Sequence, residues 1–185
     1  MSKVKNKLPP HSVLAKYTAL SDAIQHACRI ISEHQKGNAS VVFDIDDTIV
    51  FDDGHETPNI QIKHLLSVVK AYGFQIHLVT AREASASNIK WTRDEMRRHG
   101  IIYDSLALCP KKMRTTMDVV AKWKHDERLK HCPVILTVGD QWGDLMPLTD
   151  ETDIDALDRM HNISATPWML IKTSNGFGLK LMPAK

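Results

Sequence analysis

Four aspartates of the sequence are spaced as carboxylates that act together in one site. Asp44 and Asp46 lie two residues apart directly after the apolar run 41–43, and Asp140 and Asp144 follow another apolar run late in the chain. Four carboxylates brought together without a partner repel and raise one another's pKa values. A divalent cation relieves that repulsion, and oxygen ligands of this kind suit Mg²⁺. Such a cation also screens an incoming phosphate from an attacking carboxylate.

Alternating strands and helices must position these aspartates. Short apolar runs predict strands at Val41–Phe43, Phe74–Val79, Ser105–Leu108, Pro133–Val138, Trp168–Ile171 and Phe177–Leu181. Helical spacing predicts helices over 12–36, from Pro58 to Gly73 with Thr57 as N-cap, over about 84–99, and between Thr115 and His131. The alternation favours an α/β fold with a three-layer α/β/α, Rossmann-like parallel sheet. Ligands of such sheets bind beyond the carboxyl ends of the strands, where the aspartates lie.

Length and composition predict one soluble domain. The 185 residues are 43% hydrophobic and 25% charged, which favours a packed core over disorder, and a net charge of +2 is too small to indicate nucleic acid. We expect a flexible arm over 1–10 and a single domain over 11–185, with an amino-terminal helix over 12–36 before a catalytic core at 41–185. Without a signal-peptide or membrane-spanning run, and with three widely spaced cysteines, the sequence predicts a cytoplasmic protein with no membrane contact.

These segments resemble the haloacid dehalogenase superfamily of phosphatases. Phe43–Thr48 resembles the first motif, Leu78–Thr80 the second and Gly139–Asp144 the fourth. Ala81-Arg82 is similar to the Thr-Gly-Arg form of some acid phosphatases in the superfamily. The resemblance extends over Val41–Leu145, most of the chain, and implies Mg²⁺ as the cofactor.

The third motif of that superfamily is only a lysine, and several lysines compete for it. Lys124 is the preferred candidate because the segment 123–128 resembles the Lys-plus-Arg pattern of plant and bacterial acid phosphatases. Its separation from the fourth motif, 140 − 124 = 16 residues, also suits that group. Lys111, Lys112 and Lys122 are the rivals.

The resemblance also implies a catalytic role for four residues. Asp44 is the nucleophile that becomes phosphorylated. Asp46 donates a proton to the leaving oxygen and then accepts one from the hydrolytic water. Thr80 and Lys124 hold the oxygens of the transferring phosphoryl group and stabilise their charge.

Metal and substrate ligands follow from the same resemblance. Asp44, the Asp46 carbonyl and Asp140 are expected to bind Mg²⁺, with Asp144 positioning the metal or its water. Further substrate contacts are expected from Ala81, Arg82 and Arg128. Arg82 and Arg128 fit structural ion pairs equally well.

The predicted core leaves little room for a cap domain. Residues 50–57 are too few for a folded insertion, and residues 82–123 are used by a helix, a strand and part of the next helix. Capless members of the superfamily tend to accept large substrates. The helix over 12–36 is a candidate to lean over the entrance.

The sequence is compatible with three functions. The first is Mg²⁺-dependent phosphomonoester hydrolysis through an aspartyl-phosphate, with a phosphorylated small molecule or macromolecular end as partner. The second is a nucleic-acid end phosphatase, supported by the basic cluster Lys111-Lys112-Met113-Arg114. The third is a non-catalytic relative that binds phosphate or a partner. The histidines lack zinc spacing, and the run Arg93 to His99 is typical of a solvated helix face.

Overall fold

The computed structural model describes residues 14–17, 19–34, 39–51, 56–131, 133–145, 168–173 and 176–181. The expected arm over 1–10 lies outside the described residues. The strands are β1 Leu14–Tyr17, β2 Ser40–Phe43, β3 Val50–Phe51, β4 Thr57–Pro58, β5 Gln75–Glu83, β6 Ser105–Cys109, β7 Val134–Gly139, β8 Trp168–Thr173 and β9 Gly176–Lys180. The helices are α1 Leu20–Glu33, α2 Ile60–Ala71, α3 Ala86–Arg98, α4 Met117–Leu129 and the short α5 Trp142–Leu145.

A seven-stranded sheet forms the middle layer, in the order β1-β8-β9-β7-β2-β5-β6. The five strands from β9 to β6 are parallel, which confirms the predicted Rossmann-like sheet. The last hairpin adds β8 antiparallel to β9, and β1 pairs antiparallel with β8. The chain moves outward from β2 through β5 to β6 and then crosses back to β7. The carboxyl ends of β2 and β7 therefore flank the switch point at which open α/β sheets bind ligands.

Helices cover both faces of the sheet. Alternate side chains of a strand point to opposite faces. Val41 and Phe43 lie in the main core with the buried residues of α1 and α2. Val42 packs with Val79 on the other face, where Trp123 of α4 lies against them. The predicted three-layer arrangement is therefore correct. None of the described helices is long and apolar enough to cross a membrane.

The amino-terminal helix is shorter than the predicted 12–36. Helix α1 begins at Leu20 and ends at Glu33, and residues 14–17 form the edge strand β1. Strand pairing with β8 satisfies backbone groups along that edge, and this tertiary advantage outweighs the helical spacing of the apolar residues. Helix α1 packs against the sheet beside α2, so it belongs to a helical layer and not to a cover over the strand ends.

The start of α2 also differs from the prediction. Thr57 and Pro58 pair with Val50 and Phe51 in a small two-stranded sheet, and Asn59 is the N-cap. The Asn59 side chain accepts hydrogen bonds from the backbone N–H groups of Gln61 and Ile62 at 3.2 and 3.3 Å. Asparagine satisfies two otherwise free donors of the first turn, which threonine at position 57 is too far away to do.

Candidate active site

The backbone at the end of β2 turns sharply and presents two aspartates. The Asp44 N–H donates to the Val138 carbonyl of β7 at 2.9 Å, which holds the two strand ends together. The turn then closes with a 2.8 Å bond from the Ile49 N–H to the Ile45 carbonyl. Asp47 has φ +53°, a left-handed conformation that aspartate adopts more readily than most residues.

Asp44, Asp140 and Asp144 form a buried acidic cluster at the switch point. One carboxylate oxygen of each lies within 4.8 Å of the others, and each residue is at most 6% exposed. The Lys124 ammonium enters this cluster from α4. Its Nζ lies 2.7 Å from Asp44 Oδ1 and 2.5 Å from Asp144 Oδ1.

Lys124 pairs directly with two of the three carboxylates in the acidic cluster. The buried cations Arg128 and Lys180 lie nearby and donate to backbone carbonyls. Burial raises the pKa of Asp140 to about 6, and the nearby Asp144 carboxylate adds to the shift. Burial also raises the pKa of Asp44, against the Lys124 charge. For Lys124, the attraction of Asp144 and Asp44 outweighs burial, so its pKa rises and it stays protonated.

A divalent cation fits this arrangement. The donors are carboxylate oxygens, which hard cations such as Mg²⁺ prefer, and one oxygen from each of the three residues lies within 4.8 Å of the others. The three residues that would hold it are those of the acidic cluster.

Gly139 allows Asp144 to reach the acidic cluster. A Cβ on Gly139 would lie 2.2 Å from the Asp144 Cβ and 2.4 Å from its Oδ2, so only glycine leaves room. The Gln141 backbone N–H donates to Asp144 Oδ2 at 3.1 Å, and the Gln141 side chain donates to Asp140 Oδ2 at 2.6 Å. Lys180 of β9 donates to the Asp140 carbonyl at 2.9 Å. These contacts fix both carboxylates before any ligand arrives.

Helix α4 carries two cations on its buried face. Lys124 and Arg128 are 6% and 5% exposed, although both residue types are usually found on surfaces. Arg128 donates through Nε to the Lys124 carbonyl at 3.1 Å and through Nη2 to the Gly143 carbonyl. Its guanidinium thus ties α4 to α5, while Lys124 points into the acidic cluster.

Asp46, Thr80 and Arg82 form a second group beside the acidic cluster. The Thr80 hydroxyl donates to Asp46 Oδ2 at 3.1 Å. Arg82 donates two hydrogen bonds to Asp46 Oδ1, from Nε at 2.9 Å and from Nη2 at 2.7 Å. Glu95 of α3 holds the same guanidinium, at 2.5 Å from Nη1 to Oε2. Trp91 covers it, with the guanidinium carbon 4.3 Å from the ring centroid.

A cavity of about 770 Å³ opens beside the acidic cluster. Its lining includes Lys124 and Asp144 as well as Lys111 and Arg114, and Arg114 pairs at 3.8 Å with Glu83, which also lines the cavity. Ala81 contributes to the lining. A molecule much larger than phosphate therefore has room beside Lys124 and the basic rim formed by Lys111 and Arg114.

The structure brings together most of the residues chosen from the sequence. Asp44, Lys124, Asp140 and Asp144 meet directly, whereas the contacts of Asp46 go to Thr80 and Arg82. Arg128 contacts backbone groups between α4 and α5.

Sequence reasoning missed Glu95, Thr92, Gln141 and Lys180. Thr92 and Glu95 are polar residues on the buried face of α3, beside Met96, and this pattern was the available signal for the partners of Arg82.

Comparisons with known proteins establish only the fold. No model of a known protein family matches the sequence, and no curated protein matches it. A chain in the structure of the Pnkp1/Rnl/Hen1 complex matches with TM-score 0.51 and 16% identity, over 72% of this chain and 46% of that one. A chain in the structure of the Pnkp1/Rnl/Hen1 RNA repair complex matches with TM-score 0.51 and 17% identity, over 70% and 40%. This chain spans less than half the length of either.

Proposed function

We propose that the protein is a Mg²⁺-dependent phosphomonoester hydrolase of the haloacid dehalogenase type, working through an aspartyl-phosphate on Asp44. The observation that carries the proposal is the contact of Lys124 with Asp44 and Asp144 inside the buried acidic cluster. A nucleophilic carboxylate needs a nearby cation to bring a phosphate dianion toward it. Lys124 meets that need from α4.

In the proposed reaction a carboxylate oxygen of Asp44 attacks phosphorus in line with the leaving oxygen. The new O–P bond forms as the ester O–P bond breaks, and Asp46 supplies a proton to the leaving oxygen. Water then attacks the phosphoaspartate, gives a proton to Asp46 and releases phosphate from Asp44. Asp46 is half exposed, with a side-chain exposure of 44%. One of its carboxylate oxygens therefore has room to leave its hydrogen bonds with Arg82 for these proton transfers.

The remaining residues are proposed to position the reacting groups and to neutralise the charge of the phosphoryl group. Lys124 and the Thr80 hydroxyl are proposed to contact the transferring oxygens, and Arg82 orients Asp46. Arg128 is proposed to fix the position of α4 relative to α5, and hence the position of Lys124, through its hydrogen bond to the Gly143 carbonyl. Bound Mg²⁺ would supply charge neutralisation for the phosphate as it approaches Asp44.

The test is hydrolysis of p-nitrophenyl phosphate with and without Mg²⁺, by the wild type and by Asp44→Asn. We expect turnover that requires Mg²⁺ and falls by on the order of 10³-fold or more in Asp44→Asn, because the nucleophile is lost. Asp126→Asn is the matched control, since Asp126 is exposed on α4. Equal turnover by Asp44→Asn and the wild type would refute the mechanism. A folded wild type without turnover, on this ester and on a panel of phosphometabolites, would favour the non-catalytic reading.

A second candidate is a nucleic-acid end phosphatase. The cavity beside Lys124 reaches Lys111 and Arg114, which are suited to contact backbone phosphates next to a phosphorylated end. One of the solved structures with this fold is an RNA repair complex, which makes phosphorylated RNA ends a reasonable substrate class to examine.

Neutralising the basic rim separates the two candidates. For an end phosphatase, Lys111→Ala with Arg114→Ala should lower kcat/KM on a phosphorylated oligonucleotide, reduce its salt dependence, and leave p-nitrophenyl phosphate hydrolysis unchanged. Lys112→Ala is the control because Lys112 is adjacent and exposed but is not among the described residues that line the cavity. Equal effects on both substrates, or none on the oligonucleotide, would exclude this use of the rim.

A further inference from the structure

Glu56, Glu95 and His99 bring three metal-type ligands together outside the acidic cluster. One ligand atom of each lies within 4.8 Å of the other two. Glu95 and His99 are four residues apart at the end of α3 and share one helix face. Glu56 reaches them from the segment that enters β4. The three residues are called the Glu/His group below.

Two atoms of the Glu/His group are buried without a hydrogen-bond partner among the described residues. They are Glu95 Oε1 and His99 Nε2. Glu95 is only 1% exposed, and its other oxygen is already used by Arg82. Buried polar atoms nearly always have a partner, and a single buried carboxylate oxygen beside an imidazole nitrogen is the donor pair that a metal ion accepts. The solvated helix face predicted for His99 is therefore wrong, since His99 is half buried.

Local charge also favours a cation at this position. Asp46, Glu56 and Glu95 contribute three negative charges, and Arg82 and Arg98 contribute two positive ones. Arg98 holds Glu56 from the outside, with Nη2 2.7 Å from Oε2 and a side-chain exposure of 56%. Arg82 is saturated by Asp46 and Glu95. One negative charge stays unmatched beside the two unpartnered atoms.

We propose that Glu56, Glu95 and His99 bind one divalent transition-metal ion, with Zn²⁺ as the first choice and water as the remaining ligand. An imidazole nitrogen together with carboxylate oxygens suits Zn²⁺ and similar ions, whereas Mg²⁺ prefers oxygen ligands alone. Sequence spacing could not reveal this site because Glu56 lies 39 residues before Glu95 in the chain (95 − 56 = 39).

The ion would connect three parts of the molecule. It would join the entry to β4 with the end of α3, and Glu95 extends the link through Arg82 to Asp46. A cavity of about 410 Å³ lies between these groups, lined by Asp46, Phe51, Glu56 and Trp91 among others. The metal would thus fix one wall of the space beside Asp46. The site is distinct from the acidic cluster, and its test does not depend on hydrolysis.

The test measures Zn²⁺ binding by the untagged full chain after chelator treatment, in saturating Mg²⁺ so that the acidic cluster is filled. Calorimetry should give one Zn²⁺ per chain, and Co²⁺ in place of Zn²⁺ should show d–d absorption bands. Zn²⁺ should also raise the melting temperature, because a ligand that binds only the native state stabilises it. His99→Ala and Glu56→Gln should each weaken Zn²⁺ binding by about tenfold or more, at least the loss seen when an outer partner of a metal ligand is removed.

Two controls keep the result interpretable. His64→Ala removes an exposed histidine of α2 and should bind Zn²⁺ as the wild type does, which excludes scattered surface histidines. Asp140→Asn should lose Mg²⁺ affinity and keep the Zn²⁺ site. Zn²⁺ binding that is absent in the wild type, or unchanged in both folded His99→Ala and Glu56→Gln, would mean that only water occupies the Glu/His group, and the proposal would be wrong.

Discussion

The Nζ of Lys124 lies 2.7 Å from Oδ1 of Asp44, although 80 residues separate them in the chain. Both side chains are at most 8% exposed, so solvent screens their attraction little. Removing one partner of a buried ion pair leaves an uncompensated charge and typically costs about 3–5 kcal/mol. Removing Lys124 should destabilise the fold more than the loss of a single ion pair, because Asp144 contacts the same ammonium.

Replacing Lys124 by methionine keeps the stem of the side chain and removes its charge. We expect p-nitrophenyl phosphate turnover to fall by about 10²-fold or more, the loss seen when one stabilising donor is removed from an active site. Without Mg²⁺ the variant should melt well below the wild type, because Asp44 and Asp144 lose the ammonium that pairs with them directly. Added Mg²⁺ should recover more stability in the variant than in the wild type. Thermal unfolding with and without Mg²⁺ measures this difference.

Lys122→Met is the control for the same helix, since Lys122 is exposed. It should keep wild-type turnover and the wild-type response to Mg²⁺. If replacing Lys111, Lys112 or Lys122 abolished turnover while Lys124→Met did not, the assignment of the third motif would be wrong.

The sequence predicted the parallel sheet and the positions of the aspartates because both depend on local patterns. A buried parallel strand is recognisable as a short β-branched run, and the residues that follow it lie at the carboxyl edge by geometry alone. Asp44 and Asp140 follow such strands directly, so their neighbourhood was predictable without any long-range information. The choice of Lys124 required the resemblance to a family, since helical spacing does not distinguish it from Lys122.

The parts that could not be predicted depend on tertiary contacts. Strand β1 exists because β8 offers an edge, and residues 14–17 read alone have helical spacing. For Arg82, the polar residues on the buried face of α3 were a signal for buried partners, but the sequence does not show that Glu95 meets Arg82. The close approach of Gly139 to Asp144 depends on how α5 begins, which no strand pattern encodes.

Gly139→Ala should damage the acidic cluster without removing any ligand. The added Cβ would lie 2.2 Å from the Asp144 Cβ, so Asp144 must move away from Lys124 or the end of β7 must shift. We expect Mg²⁺ affinity and turnover to fall together, with a loss of stability of about 1–3 kcal/mol from overpacking. Calorimetric Mg²⁺ titration and denaturant unfolding measure the two effects.

Gly178→Ala on the neighbouring strand β9 is the matched control. Its Cβ would meet side-chain atoms of Leu145 at 3.1 and 3.2 Å, which can yield by a few tenths of an ångström. We expect a mild change in stability and normal Mg²⁺ affinity. An equal loss of Mg²⁺ affinity in both variants would show that Asp144 does not depend on the space at Gly139.

We expect the free energy of unfolding to depend on pH through His77, which lies outside the acidic cluster. The ring is buried in β5, stacked on His131 with centroids 3.7 Å apart, and its nitrogens contact the hydroxyls of Ser105 and Ser40 at 2.7 and 3.2 Å. Burial, and then the charge of His131, lower the pKa of His77 to about 4. In the unfolded chain its pKa returns to about 6.5. The unfolded state therefore binds more protons between these two values.

The contribution of neutral His77 to the free energy of unfolding should therefore be fully present above about pH 6.5 and decline as the pH falls toward 4. Urea unfolding at several pH values in this window measures the slope of the free energy of unfolding. His77→Gln removes the titrating group while keeping a polar side chain for the two serines, so its slope should be shallower than that of the wild type. His64→Gln, on an exposed face of α2, should leave the slope unchanged. Carboxylates and His131 titrate in the same range in all three proteins, so the difference between the slopes reports on His77 together with its coupling to His131. Identical slopes for His77→Gln and the wild type would mean that the pKa of His77 is the same in the folded and unfolded states, and the prediction would be wrong.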